Sequence, residues 1–249
     1  MKQNKSPFGE DFKYLIEERI KNFWGYGSLE ATTWFIGMEE GLDANATKEQ
    51  LIARFKSAHG KATVDMRRDM QEVKDHIRWF SPNPPIQQSW KYPIALFLYL
   101  KNKRVPTTEE IREYQSTSVG DDVLKETVAI ELMPLPSNKA NQSTWKYGDV
   151  DIVGLTTREE YLKTYKPARV KKLTELLKEY NPKYVIFYSL TYLKEWTDVM
   201  GVTPTEVTKG MYIAKVNKTL CCIIPQGAYP GMSYERIHEL AEKVLEQSV

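Results

Sequence analysis

The sequence predicts an α/β protein of three layers, α/β/α, around a short, mostly parallel central sheet, folded as a single domain over residues 1–249. Three observations carry this. Short apolar runs at 31–37, from Thr127 into Pro134-Leu135-Pro136, and at 183–189 read as buried strands bounded by turn residues. Segments with helical spacing separate them, an order that sets parallel strands side by side with helices on both faces. The first run ends in Gly37-Met38-Glu39-Glu40-Gly41, so two carboxylates lie between one glycine and the next. At the carboxyl end of a strand such a turn aims polar side chains into the crevice above an α/β sheet.

Taken in order, Phe12, Leu15, Ile16, Ile20 and Phe23 share one face of a helix over 9–23, which Gly25-Tyr26-Gly27 breaks. Residues 47–79 are charged and helical in pattern. Thr47 stands as an N-cap with Gln50 three residues on, and 63–79 forms a second helix. Ser81-Pro82-Asn83-Pro84-Pro85 is a rigid loop before a buried helix over 89–102, whose aromatics serve the core. The polar segments 103–125 and 137–157 read as insertions or lids. A helix spans 157–180 and another 190–200. Met211 to Val216 and Thr219 to Ile224 flank Asn217-Lys218 as a hairpin, and Ser233 to Gln247 form a closing amphipathic helix.

At 41% hydrophobic and 27% charged residues the composition is that of a soluble globular protein. A formal charge of +2 neither requires nor excludes nucleic acid; only a local patch decides. The start Met1-Lys2-Gln3-Asn4-Lys5 carries no secretory pattern, and the apolar run 92–100 is too short for a bilayer, so no membrane association is expected. Cys221 and Cys222 are neighbours in a strand and point to opposite faces, which argues against a disulfide or a shared metal and for a reducing, cytoplasmic setting.

Several chemistries lack their residues. There is no G-x-x-x-x-G-K-[ST] phosphate cradle, no G-x-G-x-x-G after the first strand and no G-x-S-x-G elbow. His59, His76 and His238 form no H-x-x-x-H pair, and two cysteines cannot hold an iron–sulfur cluster. Neither metal nor organic cofactor is expected. What remains is a set of strand-end polar residues: Glu39 and Glu40; Glu131, then Ser137, Asn138 and Asn141; Ser189; and Gln226. Each has a plainer explanation. Glu39 or Glu40 would cap a following helix, Asn138 and Asn141 would form turns, and Gln226 would satisfy loop backbone. Glu131 is the exception, because a carboxylate within an apolar strand is costly without partners.

These residues resemble the uracil-DNA glycosylase superfamily over about residues 9 to 245. Phe35-Ile36-Gly37-Met38-Glu39-Glu40-Gly41 is similar to the first glycosylase motif, with Glu39 in the place of the water-positioning Asp or Asn and Glu40 replacing a proline. Val128 to Leu132 is similar to the strand whose terminal Asn reads the extruded base, with Glu131 at that position. Ile223-Ile224-Pro225-Gln226-Gly227-Ala228 looks like the last motif, with Gln226 standing for the histidine that stabilises the departing base. The resemblance implies a glycosylase-like fold and a base pocket in which Gly37, Met38, Glu40, Glu131, Asn138, Asn141 and Ser189 surround the base and Trp145 or Tyr147 stacks on it.

Three functional readings follow. In the first, the protein hydrolyses the N-glycosidic bond of a modified or mispaired base in single- or double-stranded DNA, as in DNA repair, with Glu39 and Gln226 catalytic. A carboxylate at 131 accepts from the exocyclic amine of cytosine or adenine and repels the O4 of uracil, so plain uracil excision is disfavoured. In the second, the chain is a non-catalytic descendant that binds nucleic acid or protein, through the basic helix bearing Arg158, Lys163, Lys166, Arg169, Lys171 and Lys172. A third, a small-molecule hydrolase with Glu39 and Glu40 as acid and base, is weakened because adjacent loop residues rarely face one atom.

Overall fold

Strand alternation divides the apolar residues between two cores, one on each side of a single sheet. A computed structural model describes residues 8–70, 77–138, 145–227 and 229–247. Its strands are β1 (Gly25–Tyr26), β2 (Thr33–Gly37), β3 (Thr63–Val64), β4 (Thr127–Glu131), β5 (Tyr184–Tyr188), β6 (Thr205–Thr208), β7 (Met211–Val216) and β8 (Thr219–Ile224). They form one sheet in the order β3-β1-β4-β2-β5-β8-β7-β6. The central strands β4, β2, β5 and β8 are parallel, β3 pairs parallel with β1, and β1, β7 and β6 join antiparallel to their inner neighbours.

The helices are α1 (Phe8–Asn22), α2 (Lys48–Ser57), α3 (Met66–Met70), α4 (Gln88–Asn102), α5 (Thr108–Thr117), α6 (Arg158–Tyr180), α7 (Leu193–Met200) and α8 (Tyr234–Glu246). Phe35, Ala129, Ile186 and Cys222 face one way and pack with apolar residues of α4, α5 and α8. Trp34, Ile36, Val128, Ile130, Val185, Phe187 and Cys221 face the other way and pack with α1, α2, α6 and α7. The two cysteines are buried and unbridged, on opposite faces as the period of two requires. Among the described residues no helix is long and apolar enough to cross a membrane.

Four expectations need correction. The sheet is longer than the short one foreseen, because β1, β3 and β6 extend it. Gly25 and Tyr26 do not merely break a helix. A Cβ on Gly25 would fall on the Ala129 carbonyl, so only glycine lets this segment lie against β4 at φ +154. The helix foreseen over 63–79 is replaced at its start by β3 and the short α3. Asp65 starts α3 by accepting from Arg68 N at 2.6 Å, while its own N–H donates to Asp69 at 3.0 Å; Ile77–Trp79 forms one turn of 3₁₀ helix. Finally, 103–125 is no lid. It contains α5, capped by Thr107 and Glu110 and packed on α4 through Ile111 and Tyr114.

Because the four central strands are parallel, their carboxyl ends share one edge. Gly37 pairs with Glu131 across β2 and β4, and Tyr188 with Ile224 across β5 and β8. The chain continues from this edge as loops, and the loops after β2 and β4 join again at Gly41 and Ser137. That edge is where the candidate site lies.

Candidate active site

A cavity of about 610 Å³ opens above the carboxyl ends of β2, β4, β5 and β8. That is a volume suited to a small organic ligand. Met38, Glu39 and Glu40 reach it from the loop after β2, Glu131 from β4, Tyr188 from the end of β5, Ser189 from the turn after it, and Gln226 from the loop after β8. Asn138, Trp79 and Trp90 also line it. Seven of the expected site positions, Met38, Glu39, Glu40, Glu131, Asn138, Ser189 and Gln226, thus meet at one place because the strands that lead to them run parallel.

Glu39 and Glu40 are both held by arginine. Arg158, the first residue of α6, donates from Nε at 3.0 Å and Nη2 at 2.5 Å to Oε1 of Glu39, whose side chain is fully buried. Burial works against the Arg158 charge, and the field and hydrogen bonds of Glu39 more than offset it, so its pKa is raised. Glu40 receives Arg19 Nη2 and Arg54 Nη1, each at 3.0 Å, and the Tyr26 hydroxyl. The three charged side chains are only 10%, 3% and 6% exposed, respectively. Burial, then the Glu40 charge, pushes the Tyr26 phenol far up, so Tyr26 donates to Glu40 throughout the working pH range. The Glu40 carboxylate thereby ties α1, α2 and β1 to the cavity wall.

Glu131 sits on the cavity floor. Tyr188 Oη lies 3.4 Å from Glu131 Oε1, and burial together with the Glu131 charge raises the Tyr188 pKa well above its ordinary value. Main-chain bonds fix the carboxylate's base: Glu131 N donates to the Trp24 carbonyl at 2.8 Å, and Arg169 Nη2 donates to the Glu131 carbonyl at 3.0 Å. Gly37 itself does not line the cavity. It makes room for Tyr188, since a Cβ there would come within 2.6 Å of Tyr188 Cζ.

Ser189 holds φ +113 and ψ +117, a region that costs a non-glycine residue of order 1–3 kcal/mol. Its N–H donates to Ile224 O at 3.0 Å and its carbonyl accepts from Trp196 Nε1 at 2.9 Å, and these bonds hold the turn at the cavity edge. Gln226 is exposed and lines the cavity. Behind it Gly227 packs so closely on the Gln88 carbonyl that a Cβ has no room.

The two expected stacking aromatics lie elsewhere. Tyr147 is fully buried against Phe12 and Phe55 and donates to Pro136 O at 3.1 Å; Trp145 donates to Leu155 O at 2.7 Å. Both belong to the core beneath α6, because their apolar rings are worth more there than at an open mouth. The 145–157 part of the second polar segment is therefore packed structure rather than a lid. Asn141 lies outside the described residues. Tyr229 is exposed and leaves the cavity clear. The sequence reading missed Tyr26, Tyr188, Arg54, Trp79 and Trp90. Only Tyr188 had a signal, as the strand-end residue before Ser189.

The basic face expected on α6 is largely consumed. Arg158 is bound to Glu39, Lys166 to Glu195 at 2.5 Å, and Arg169 is buried. Among the described residues the carboxylates near enough to share a cation are Asp65, Asp121 and Asp122, away from this cavity, and they accept from loop N–H groups and Arg68.

The fold and site define the class: a mixed α/β protein with a carboxylate-lined cavity at the carboxyl edge of a mostly parallel sheet. No family model matches the chain, and no curated protein matches its sequence.

Proposed function

We propose that the chain is a divergent relative of the uracil-DNA glycosylases that takes an extruded base bearing an exocyclic amine and hydrolyses its N-glycosidic bond. The observation that carries this reading is the meeting of Glu39, Glu131 and Gln226, from the ends of three parallel strands, on one cavity of about 610 Å³. Glu131 accepts from the exocyclic amine of a cytosine- or adenine-type base, a pairing that a uracil O4 does not offer. Water attacks C1′ as the C1′–N bond breaks. Glu39 takes the water proton, and the electron pair leaves on the base nitrogen, where the Gln226 amide donates a hydrogen bond. Extrusion from the stack costs a few kcal/mol, least at a mispaired or damaged position.

For Glu39 to act, Arg158 must turn toward the incoming phosphates, since in the structure it holds that carboxylate. The same ion pair supports the second reading, a non-catalytic nucleic-acid-binding protein with Glu39 as a structural anchor. Release of free base from oligonucleotides carrying modified or mispaired cytosine and adenine separates the two. The proposal expects release by the wild type and a loss of about 10²-fold or more in Glu39→Gln. Release that survives Glu39→Gln unchanged overturns these roles. DNA binding with no release on any such base establishes the second reading.

A further inference from the structure

Between α1, the turn at 151–153 and α6 lies a second cavity, of about 750 Å³, separate from the candidate active site. Arg169 and Trp24 form part of its wall. The Arg169 side chain is placed firmly: Nε donates to Leu132 O at 2.8 Å, Nη2 to Glu131 O at 3.0 Å, and the guanidinium lies 3.3 Å from the Trp24 ring centre. Yet the residue is only 5% exposed, its Nη1 meets no acceptor, and among the described residues no carboxylate pairs with it. A buried charge with no counter-charge costs several kcal/mol, and an unmet buried donor is uncommon in a native fold. Burial draws the Arg169 pKa down to about 9, so the side chain is still charged at neutral pH.

The rest of the wall has a definite chemistry. Lys13, Lys21 and Lys172 surround the opening, against the carboxylates Glu17 and Asp151. Asp151 already meets Lys13 at 3.5 Å and Glu175 meets Lys172 at 3.3 Å, which leaves Lys21 and Arg169 against Glu17, a positive balance. Ile20, Ile152 and Val153 supply apolar surface. Val153 is 87% exposed although its carbonyl is held by the Tyr165 hydroxyl at 2.7 Å. Val153 gains apolar contact if a ligand lies beside it.

We propose that this cavity is a binding site for an organic anion, a molecule with an apolar body against Ile20, Ile152 and Val153 and one carboxylate, sulfonate or phosphate group that supplies the counter-charge Arg169 lacks. The site does not depend on the function assigned to the first cavity. The probe is 1-anilinonaphthalene-8-sulfonate, an aromatic body with one anionic group, and N-phenyl-1-naphthylamine is its uncharged counterpart. Titrations of the full chain at low salt, by fluorescence and calorimetry, should show one sulfonate site. The paired variant Lys21→Glu with Lys172→Glu, at exposed positions, should weaken it at least about tenfold, and Arg169→Met likewise where circular dichroism shows it folded. Arg78→Glu, at the other cavity, should leave the probe bound as in the wild type. The idea is overturned if the wild type does not bind the sulfonate, if the lysine reversals leave its affinity unchanged, or if the uncharged compound binds as tightly and responds to the same variants.

Discussion

Glu40 shows how much one side chain at a strand end can organise. Its two oxygens bring Arg19 of α1, Arg54 of α2 and Tyr26 of β1 to one point, all in near-complete burial. Removing one partner of such a group leaves the others charged and uncompensated, which costs more than the group itself contributes. Glu40→Gln should therefore lower stability by about 3 kcal/mol, a fall in Tm on the order of 10 °C, measured by thermal unfolding. A fall within a degree or two would mean that the arginines find other acceptors. Gly37 and Gly41 make a second test. A methyl at Gly37 runs into the Tyr188 ring, whereas one at Gly41 meets nothing within 4 Å. Gly37→Ala should cost about 1–3 kcal/mol in chemical denaturation, and Gly41→Ala should sit close to wild type. Equal effects would show that Tyr188 is not fixed where it shields Glu131.

At the scale of the element, capping was the most legible local signal and was not always used. Thr47 with Gln50 marked the start of α2, and the structure closes the box they predict. Thr107 with Glu110 carries the same signature, but the segment around it is so polar that it read as a loop; Ile111, Tyr114 and Gln115 alone turn α5 inward. The bond from Arg104, then that from the Thr107 backbone, holds the Glu110 carboxyl down at about 2. A depressed folded pKa stabilises above the ordinary carboxylate value and is lost as pH falls through the folded one. The stability difference between wild type and Glu110→Gln should then be constant above about pH 5 and shrink steadily toward pH 2, followed by denaturation across pH. A gap that persists at pH 2 would place its origin outside the ion pair.

For the whole molecule, the sheet edge and the charge distribution decide what DNA binding can look like. Of the six basic side chains foreseen as a binding face on α6, Arg158, Lys166 and Arg169 are engaged within the protein, and Lys163, Lys171 and Lys172 remain outward, Lys172 in an exposed pair with Glu175 at 3.3 Å. If that helix tracks phosphates, the slope of log affinity against log salt should be about −3 rather than the roughly −5 that six contacts would give. Gel shifts over a salt series measure it. A slope near −5 would require cations from elsewhere on the surface or the release of Arg158 from Glu39.

By itself the sequence determined the alternation of buried strands and helices, the face each strand residue takes and the strand ends where polar residues gather. These follow from local period, and a period of two or 3.6 is written in neighbouring residues. Glu131 was marked as unusual on the same ground, since a carboxylate in an apolar run is costly wherever the run lies. Only the tertiary structure decided the partners. Arg158 lies 119 positions from Glu39 and Arg19 lies 21 from Glu40, and no local pattern says which distant cation a buried carboxylate will find. The same holds for Trp145 and Tyr147, whose rings suit a ligand pocket and a core equally well until the fold shows which is nearer. Tyr26 and Tyr188 reached the site by strand order, which is a property of the assembled sheet. Contacts across long loops depend on the whole chain's closure, and that is why the architecture could be read from the residues and the wiring of the cavity could not.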